Sequence, residues 1–489
     1  MSGALVQLPV KINRGSDVPI QDQLFVAIRD LIARGVIGPK MRLPASRALS
    51  QQLSVSRNTV KNAYANLISQ GYLSSFGTSG TYVSERLPDR QFSALAERPA
   101  PESPPLPEAG PLPGPEPGPP PRGGQFDFGL KGSNPAIAPE RTWRRLLIKH
   151  LPFQARNAGQ TDPAGLTALR EAVAGSVCPL RGISVDPARC AIVLDDYRAL
   201  DTVARVLTHR IRRVAVEDPC EAGLHYLLRS QGLEVVPVRV DAQGLCVEDL
   251  ARHEVAAVFV TPSHQQPTGV TMSLARRGAL LDWAAETGAH VVEWDTFGEF
   301  SYDHSPIPSL FSLDRLDRVV YINGFSSWIG AGVQLCCVAL PPGLIEQFLI
   351  IKPFLNPEPD WLEQRAAAEF MASDSLFSHL RRVQQHFRQV RDTLRACLDE
   401  QFPEQRITGA QAGRHLVWHL PPGGPGARAL HERARAAGLC IPTLHDGYSS
   451  FGAGAALCDP DATLLLGYAR LDDESARAGV AALAGVWRG

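Results

Sequence analysis

Residues 55–83 read VSRNTVKNAYANLISQGYLSSFGTSGTYV, and this stretch decides the architecture of the N-terminal part of the chain. Val60, Ala63, Tyr64, Leu67 and Ile68 recur at helical spacing and predict the buried face of a helix that Ser56 caps and Gly71 stops. YLSSFGTSGTYV then alternates around Gly77-Thr78-Ser79-Gly80, which predicts a β-hairpin. Upstream, Leu24, Ile28, Leu31 and Ile32 mark one face of an earlier helix ended by Gly35 and Gly38-Pro39, and Ser46 opens a short helix to Leu53.

Two helices joined by the turn Gln52-Leu53-Ser54-Val55 and followed by a hairpin make a winged helix-turn-helix. The third helix offers Arg57, Asn58, Thr59, Lys61 and Asn62 at its N-terminal end, the residue types that read base edges and hold phosphates in a major groove. Ser46 and Arg47 open the preceding helix, where backbone N–H groups hold a phosphate. With Arg42, Ser56 and the wing residues Gly80 and Thr81, these form the expected contact set for a double-stranded DNA operator. Charge supports this: residues 1–84 carry nine Lys and Arg against three acids, a net +6, while the rest of the chain carries −7.

The 489 residues call for two or three domains. Apolar residues at 44% and charged residues at 20% describe a globular chain. No apolar run is long enough to span a membrane, and residues 1–30 hold no secretory signal, so the expected location is cytoplasmic. Nine scattered cysteines with no C-x-x-C pair argue against a disulfide frame or a metal site. Cys336-Cys337 lies in an apolar run and reads as buried packing, and His253, His264, His290 and His304 read as structural.

Between Pro99 and Pro121, twelve of 23 residues are proline, so residues 85–124 read as a spacer. About forty residues at roughly 3.1 Å each reach on the order of 120 Å. The domains are then 1–84, the linker 85–124, a large domain 125–345, and a helical segment with a small α+β domain over 346–489. In the large domain, short β-branched runs (Cys190–Leu194, Arg213–Val216, Glu234–Val238, Ala256–Val260, His290–Glu293 and Val319–Ile322) alternate with helical stretches. That predicts an α/β fold with a mostly parallel sheet covered on both faces.

The segment PIQDQLFVAIRDLIARGVIGPKMRLPASRALSQQLSVSRNTVKNAYANLISQGYLSSFGTSGTYV (19–83) resembles the GntR-family winged helix-turn-helix. The body, over about 125–487, resembles fold-type-I aminotransferases and specifically the effector domain of MocR-type regulators. TDPAGLTALREAVA (161–174), TPSHQQPTGVTMSLARRGALLDWA (261–284), VVEWDTFGEFSY (291–302) and LLLGYARL (464–471) carry that likeness. The resemblance implies a dimeric transcription regulator whose body binds pyridoxal phosphate.

The residues matching the family's cofactor contacts depart from its pattern. Ser327 stands where the resemblance implies the cofactor lysine, and beyond the linker only Lys131, Lys149 and Lys352 exist. Trp294 replaces the carboxylate for the pyridinium nitrogen, Thr296 the tyrosine for the ring hydroxyl, and Glu221 the stacking aromatic. Asp195 and Asp196 occupy the phosphate loop, and Gln334 replaces an arginine. Asp295 survives one position late and is expected on the opposite face of its strand. The expectation is a regulator without pyridoxal phosphate, catalysis or metal; the rival is a transaminase-like enzyme of another mechanism fused to a DNA-binding head. Two readings stand for the vacated cleft. Asp195, Asp196 and Glu221 with Trp294 suit a small cationic effector, or Trp294 plugs the cleft while the acids face water.

Overall fold

The computed structural model describes residues 8–16, 18–75, 80–85, 87, 126–130, 132, 134–153, 162–208, 212–303, 306–330, 332–355, 360–421, 423–446, 448–449 and 457–488. They divide into two compact units, Met1–Gly110 and Pro111–Gly489.

In the first unit, α1 (Ile20–Ala33), α2 (Ser46–Leu53) and α3 (Arg57–Ser69) pack around Leu24, Ile28, Leu49, Val60 and Leu67, all fully buried. Ser54, in the left-handed region at φ 51°, turns the chain between α2 and α3. The Ser56 hydroxyl then accepts the Thr59 N–H at 3.0 Å and caps α3. β1 (Leu73–Ser75) and β2 (Thr81–Val83) pair antiparallel with Leu73 opposite Val83, so the wing is present. Its expected tip, Gly77-Thr78-Ser79, lies outside the described residues, as do Lys131, His304 and all of the expected linker except residues 85 and 87. Ile68 corrects the expected buried stripe: it is 37% exposed. It follows Leu67 by about 100° around the helix and falls beyond the face formed by Val60, Ala63, Tyr64 and Leu67.

The second unit is built on an eight-stranded sheet: β3 (Cys190–Val193), β4 (Arg213–Asp218), β5 (Glu234–Asp241), β6 (Gly244–Leu245), β7 (Ala257–Val260), β8 (His290–Trp294), β9 (Val319–Gly324) and β10 (Cys336–Ala339). The spatial order is β3-β10-β9-β8-β7-β4-β5-β6. β9, β8, β7, β4 and β5 run parallel, while β10 is antiparallel to both of its neighbours and β6 folds back on β5. All six strands expected from the β-branched runs are present. β10, CCVA with a single β-branched residue, and the two-residue β6 were not among them. α4 (Asp196–Leu207), α5 (Ala222–Ser230) and the helix Leu274–Thr287 cover the sheet. Beyond it come the helices Pro342–Leu355, Trp361–Met371 and Ser375–Gln401, then a three-stranded antiparallel sheet (Arg406–Thr408, His415–His419, Thr463–Gly467) with two helices.

The C-terminal ends of the parallel strands enclose carboxylates. Glu217 on β4 receives the Thr261 N–H (3.1 Å), the Thr261 hydroxyl (2.7 Å) and Gln265 Nε2 (3.1 Å) at one oxygen, and its Oε1 has no partner among the described residues. Burial pushes its pKa up to about 7, against 4.5 for an ordinary glutamate. The folded protein therefore retains a proton that the unfolded chain releases, and this group's contribution falls as pH rises from about 4.5 to about 7. His264 and His415 act in the opposite sense, because burial holds both below 6.5 and the folded state loses stability as they are forced to protonate at lower pH. The neutral isostere Glu217→Gln is expected to be more stable than wild type by about 3 kcal/mol at pH 8 and equal to it near pH 4.5. Denaturant unfolding of the full chain at both pH values measures this, and a difference that does not grow with pH refutes it.

Candidate functional site

In the first unit, contacts join several of the expected DNA-contact residues in small groups. Arg57 Nε reaches the Ser46 hydroxyl at 3.4 Å, so the N-terminal ends of α2 and α3 meet there. Arg42, Arg47, Arg57, Asn58, Lys61 and Asn62 are exposed, and Ser46, Thr59, Gly80 and Thr81 are partly so. Arg42 bridges to Tyr82 on the wing, and its guanidinium lies so close to Gly80 that a Cβ there would sit 2.9 Å from Arg42 Nε. Gly80, at φ 111°, is thus required by both backbone and space. Ser56 and Thr59 are occupied with one another at 2.8 Å, which gives Ser56 a capping duty. Asn62 donates to Gln21 at 3.3 Å. Among the described residues, no carboxylate pairs with Arg42, Arg47, Arg57 or Lys61, so these cations face solvent uncompensated.

In the second unit, residues from three segments converge beside the end of β8. Trp294 is buried, its indole N–H donates to Asp196 at 3.1 Å, and its ring packs edge-on against Tyr197 with centroids 5.8 Å apart. The Tyr197 hydroxyl donates to Glu221 at 2.6 Å. Asp196 also abuts Gly324 at the end of β9, where any Cβ would overlap its carboxylate, and the Cys336 thiol lies beside it. Burial raises the pKa of Asp196, opposed by the indole and thiol donors. The cavity left between Trp294, Glu221, Glu217 and Gln266 measures about 10 Å³, room for about one water.

These contacts revise both sequence readings of the cleft. No open acid-lined seat for a cation exists beside Trp294 among the described residues, because the indole fills the space. Of the acids, Asp196 is bound to the indole rather than turned to water, while Asp195, half-buried, caps α4 by accepting the Arg198 N–H at 2.8 Å. Thr296 accepts from Gln266 at 3.4 Å. Ser327 is buried in the short helix after β9 and returns its hydroxyl to the Gly324 carbonyl at 3.4 Å. Gln334 is exposed and joins none of these contacts.

Asp295 points to the opposite face of the strand, as the alternation requires. It meets Arg181 at 2.7 Å and receives the Tyr321 hydroxyl at 3.0 Å; burial pushes its pKa up, but the Arg181 guanidinium and the hydrogen-bond donors outweigh burial and hold it below the ordinary aspartate value. Tyr197 was not singled out in the sequence, although its place directly after Asp195-Asp196 was the available signal. All nine cysteines are free, and Cys336 and Cys337 are buried in β10. His264 bonds to His415 within the core.

These residues do not fit pyridoxal phosphate. The loop that would cradle a phosphate dianion presents two carboxylates, one of them already capping the helix. Trp294, bonded to Asp196, offers no carboxylate to a pyridinium nitrogen, the cavity beside it holds about 10 Å³, and Ser327 offers no amine.

Comparison with known proteins agrees with this architecture. Residues 20–83 match the family described as bacterial regulatory proteins, gntR family, and residues 139–434 match aminotransferase class I and II. The chain is 27% identical over 481 residues to the HTH-type transcriptional regulator YdeL of Bacillus subtilis, covering 98% of each. It is 30% identical over 445 residues to the HTH-type transcriptional regulator TauR of Rhodobacter capsulatus, covering 87% of this chain and 89% of that one. A Pyrococcus horikoshii kynurenine aminotransferase structure superposes with a TM-score of 0.66 at 25% identity, over 74% of this chain and 90% of its own. With a GntR helix-turn-helix domain joined to an aminotransferase-like body, and relatives such as the probable rhizopine catabolism regulatory protein MocR of Rhizobium meliloti, the chain belongs to the MocR-type, GntR-family transcriptional regulators.

Proposed function

We propose that this DNA-binding regulator works without pyridoxal phosphate and without catalysis, its body serving as a dimerising and ligand-responsive module. The observation that carries this reading is the Trp294–Asp196 hydrogen bond, which ties to one another two residues that the resemblance puts at cofactor contacts. The DNA-binding domain is residues 1–84, the linker 85–124 and the body 125–489, acting in the cytoplasm. Arg57, Asn58 and Asn62 read the major groove, Arg42 with Gly80 and Thr81 places the wing on the backbone, and Ser46, Arg47, Thr59 and Lys61 hold phosphates.

Full-length protein is expected to show no stoichiometric absorbance change on addition of pyridoxal phosphate and no borohydride-reducible adduct. Ser327→Lys should behave alike, since Trp294 and Asp196 still fill the site. Stoichiometric loading of wild type would refute the reading.

On a DNA fragment selected from a random pool, Arg57→Ala is expected to cost about 1–3 kcal/mol of affinity. Lys61→Ala should weaken all sequences alike and lower the salt dependence by about one counterion. Gel shifts with unchanged affinity for both variants would remove α3 from the interface.

Exposed apolar side chains support the dimer. Ile350 and Phe354, one turn apart on the helix Pro342–Leu355, are 62% and 86% exposed, and Ile148 and Leu151 are also exposed. Sedimentation is expected to give a dimer at micromolar concentration, and Phe354→Glu to shift it toward monomer. A wild-type monomer would end this part of the reading.

A further inference from the structure

The body buries several arginines, and nearly all have an acid. Arg181 meets Asp295 at 2.7 Å, Arg391 meets Asp303 at 2.9 Å, Arg170 meets Asp162 at 2.6 Å, and Arg277 faces Glu293 at 3.6 Å. Arg414, which precedes the strand His415–His419, is the exception. It is 9% exposed, yet no carboxylate lies within ion-pair distance of it among the described residues. Its Nη1 donates to the Gly132 carbonyl at 3.1 Å, its guanidinium carbon lies 4.4 Å from the centre of the Phe297 ring, and its Nε is buried with no acceptor. Burial lowers its pKa to about 10, with Tyr302, Tyr468 and Asp196 offsetting part of the effect.

The neighbouring polar groups do not compensate it. Tyr302 and Tyr468 both spend their hydroxyl protons on the Gly413 carbonyl. The Pro267 carbonyl can only accept, so His415 donates to it from Nε2 at 2.9 Å. His415 Nδ1 then accepts from His264 Nε2 at 3.1 Å, and both rings are neutral. This chain leaves His264 Nδ1 as a buried acceptor without a donor. A cation, an aromatic floor and a neutral histidine pair meet there, and the negative charge is missing.

We propose that Arg414 is the seat of a small carboxylate ligand, bound across the Nε–Nη2 edge of the guanidinium, whose Nε has no acceptor among the described residues, and resting beside Phe297. A planar carboxylate matches that fork with two parallel charge-assisted hydrogen bonds. A buried guanidinium without an anion is costly, and such groups are retained where a partner arrives. The site takes a charge opposite to the cationic effector expected from the sequence, and it rests on the reading of the body as a binding module.

The test is the melting temperature of full-length protein in sodium acetate, lactate or succinate against sodium chloride of equal ionic strength, for wild type, Arg414→Met and Arg414→Lys. At least one carboxylate is expected to raise the wild-type value saturably by about 2 °C or more over chloride. Arg414→Met should lose the response while melting no lower than wild type, because an apolar side chain of similar length removes an uncompensated charge. Arg414→Lys, which keeps the charge but not the fork, should need at least tenfold more ligand. The proposal is overturned if none of the three carboxylates exceeds chloride on wild type, or if the response survives in Arg414→Met. It is also overturned if Arg414→Met melts sharply lower, which means that the protein itself supplies the anion. Gel shifts of the same variants without added carboxylate separate this outcome from the DNA-binding reading, since Arg414 lies outside residues 1–84.

Discussion

The second unit's character turns on one hydrogen bond, from the Trp294 indole to the Asp196 carboxylate. Each group alone would be unfavourable where it sits. A buried indole N–H without an acceptor forfeits a hydrogen bond, and a buried carboxylate without donors is expensive to ionise. Together they satisfy one another, and Tyr197 extends the arrangement by packing on the indole and donating to Glu221. Trp294, Asp196 and Glu221 lie on separate segments and only make sense jointly. Tryptophan fills the volume, aspartate accepts its proton, and the glutamate at the start of α5 accepts the tyrosine's. Replacing the plug by alanine would open a cavity and strand both acids.

The period-two geometry of β8 separates this plug from a second polar layer. Trp294 faces the cluster containing Val292, Ile322 and Val338, whereas Asp295 turns to the other side and joins Arg181 and Tyr321. A slip of one residue would exchange the two, placing a charge in the apolar cluster and an indole against a guanidinium. The Arg181–Asp295 pair thus fixes the register that keeps Trp294 in the cleft. Asn323, donating to the Asp295 carbonyl at 2.9 Å and to Glu299 at 3.0 Å, ties β9 to the same layer.

Local features were legible in the sequence, and compensation between distant residues was not. The caps and apolar stripes of the first unit are set within a few residues, so Ser56, Val60 and Leu67 reveal themselves by spacing; Ile68 does not, because the edge of a stripe depends on what packs against it. The β-branched strands announce themselves in the same way; β10, with one β-branched residue in CCVA, does not. The opposite face of Asp295 follows from alternation alone. That the acids at Asp196 and Glu221 are quenched by Trp294 and Tyr197 could not be read, since sequence shows charge but not its partner. Arg414 escaped for the same reason: it is one of 49 Lys and Arg until burial shows that it lacks an acid.

The position of Arg414 also bears on how the body could influence the head. Its guanidinium donates to the Gly132 carbonyl, and Arg470 packs against the same glycine while pairing with Asp127. Residues 126–132 are the first part of the body after the proline-rich stretch, and Phe126–Asp127 is held by a short parallel pairing to Leu439–Cys440. Two arginines therefore clasp the point where the chain enters the body. A ligand shifts an equilibrium only by its differential affinity for the two states. An anion that takes the open edge of Arg414 changes the charge of a group already bonded to the entering chain, so it alters the strength of that clasp. The site around Trp294 offers no such leverage, because its groups are bonded to one another. On the proposed reading, the route from small molecule to DNA runs through the unpaired cation beside the first residues of the body rather than through the cleft.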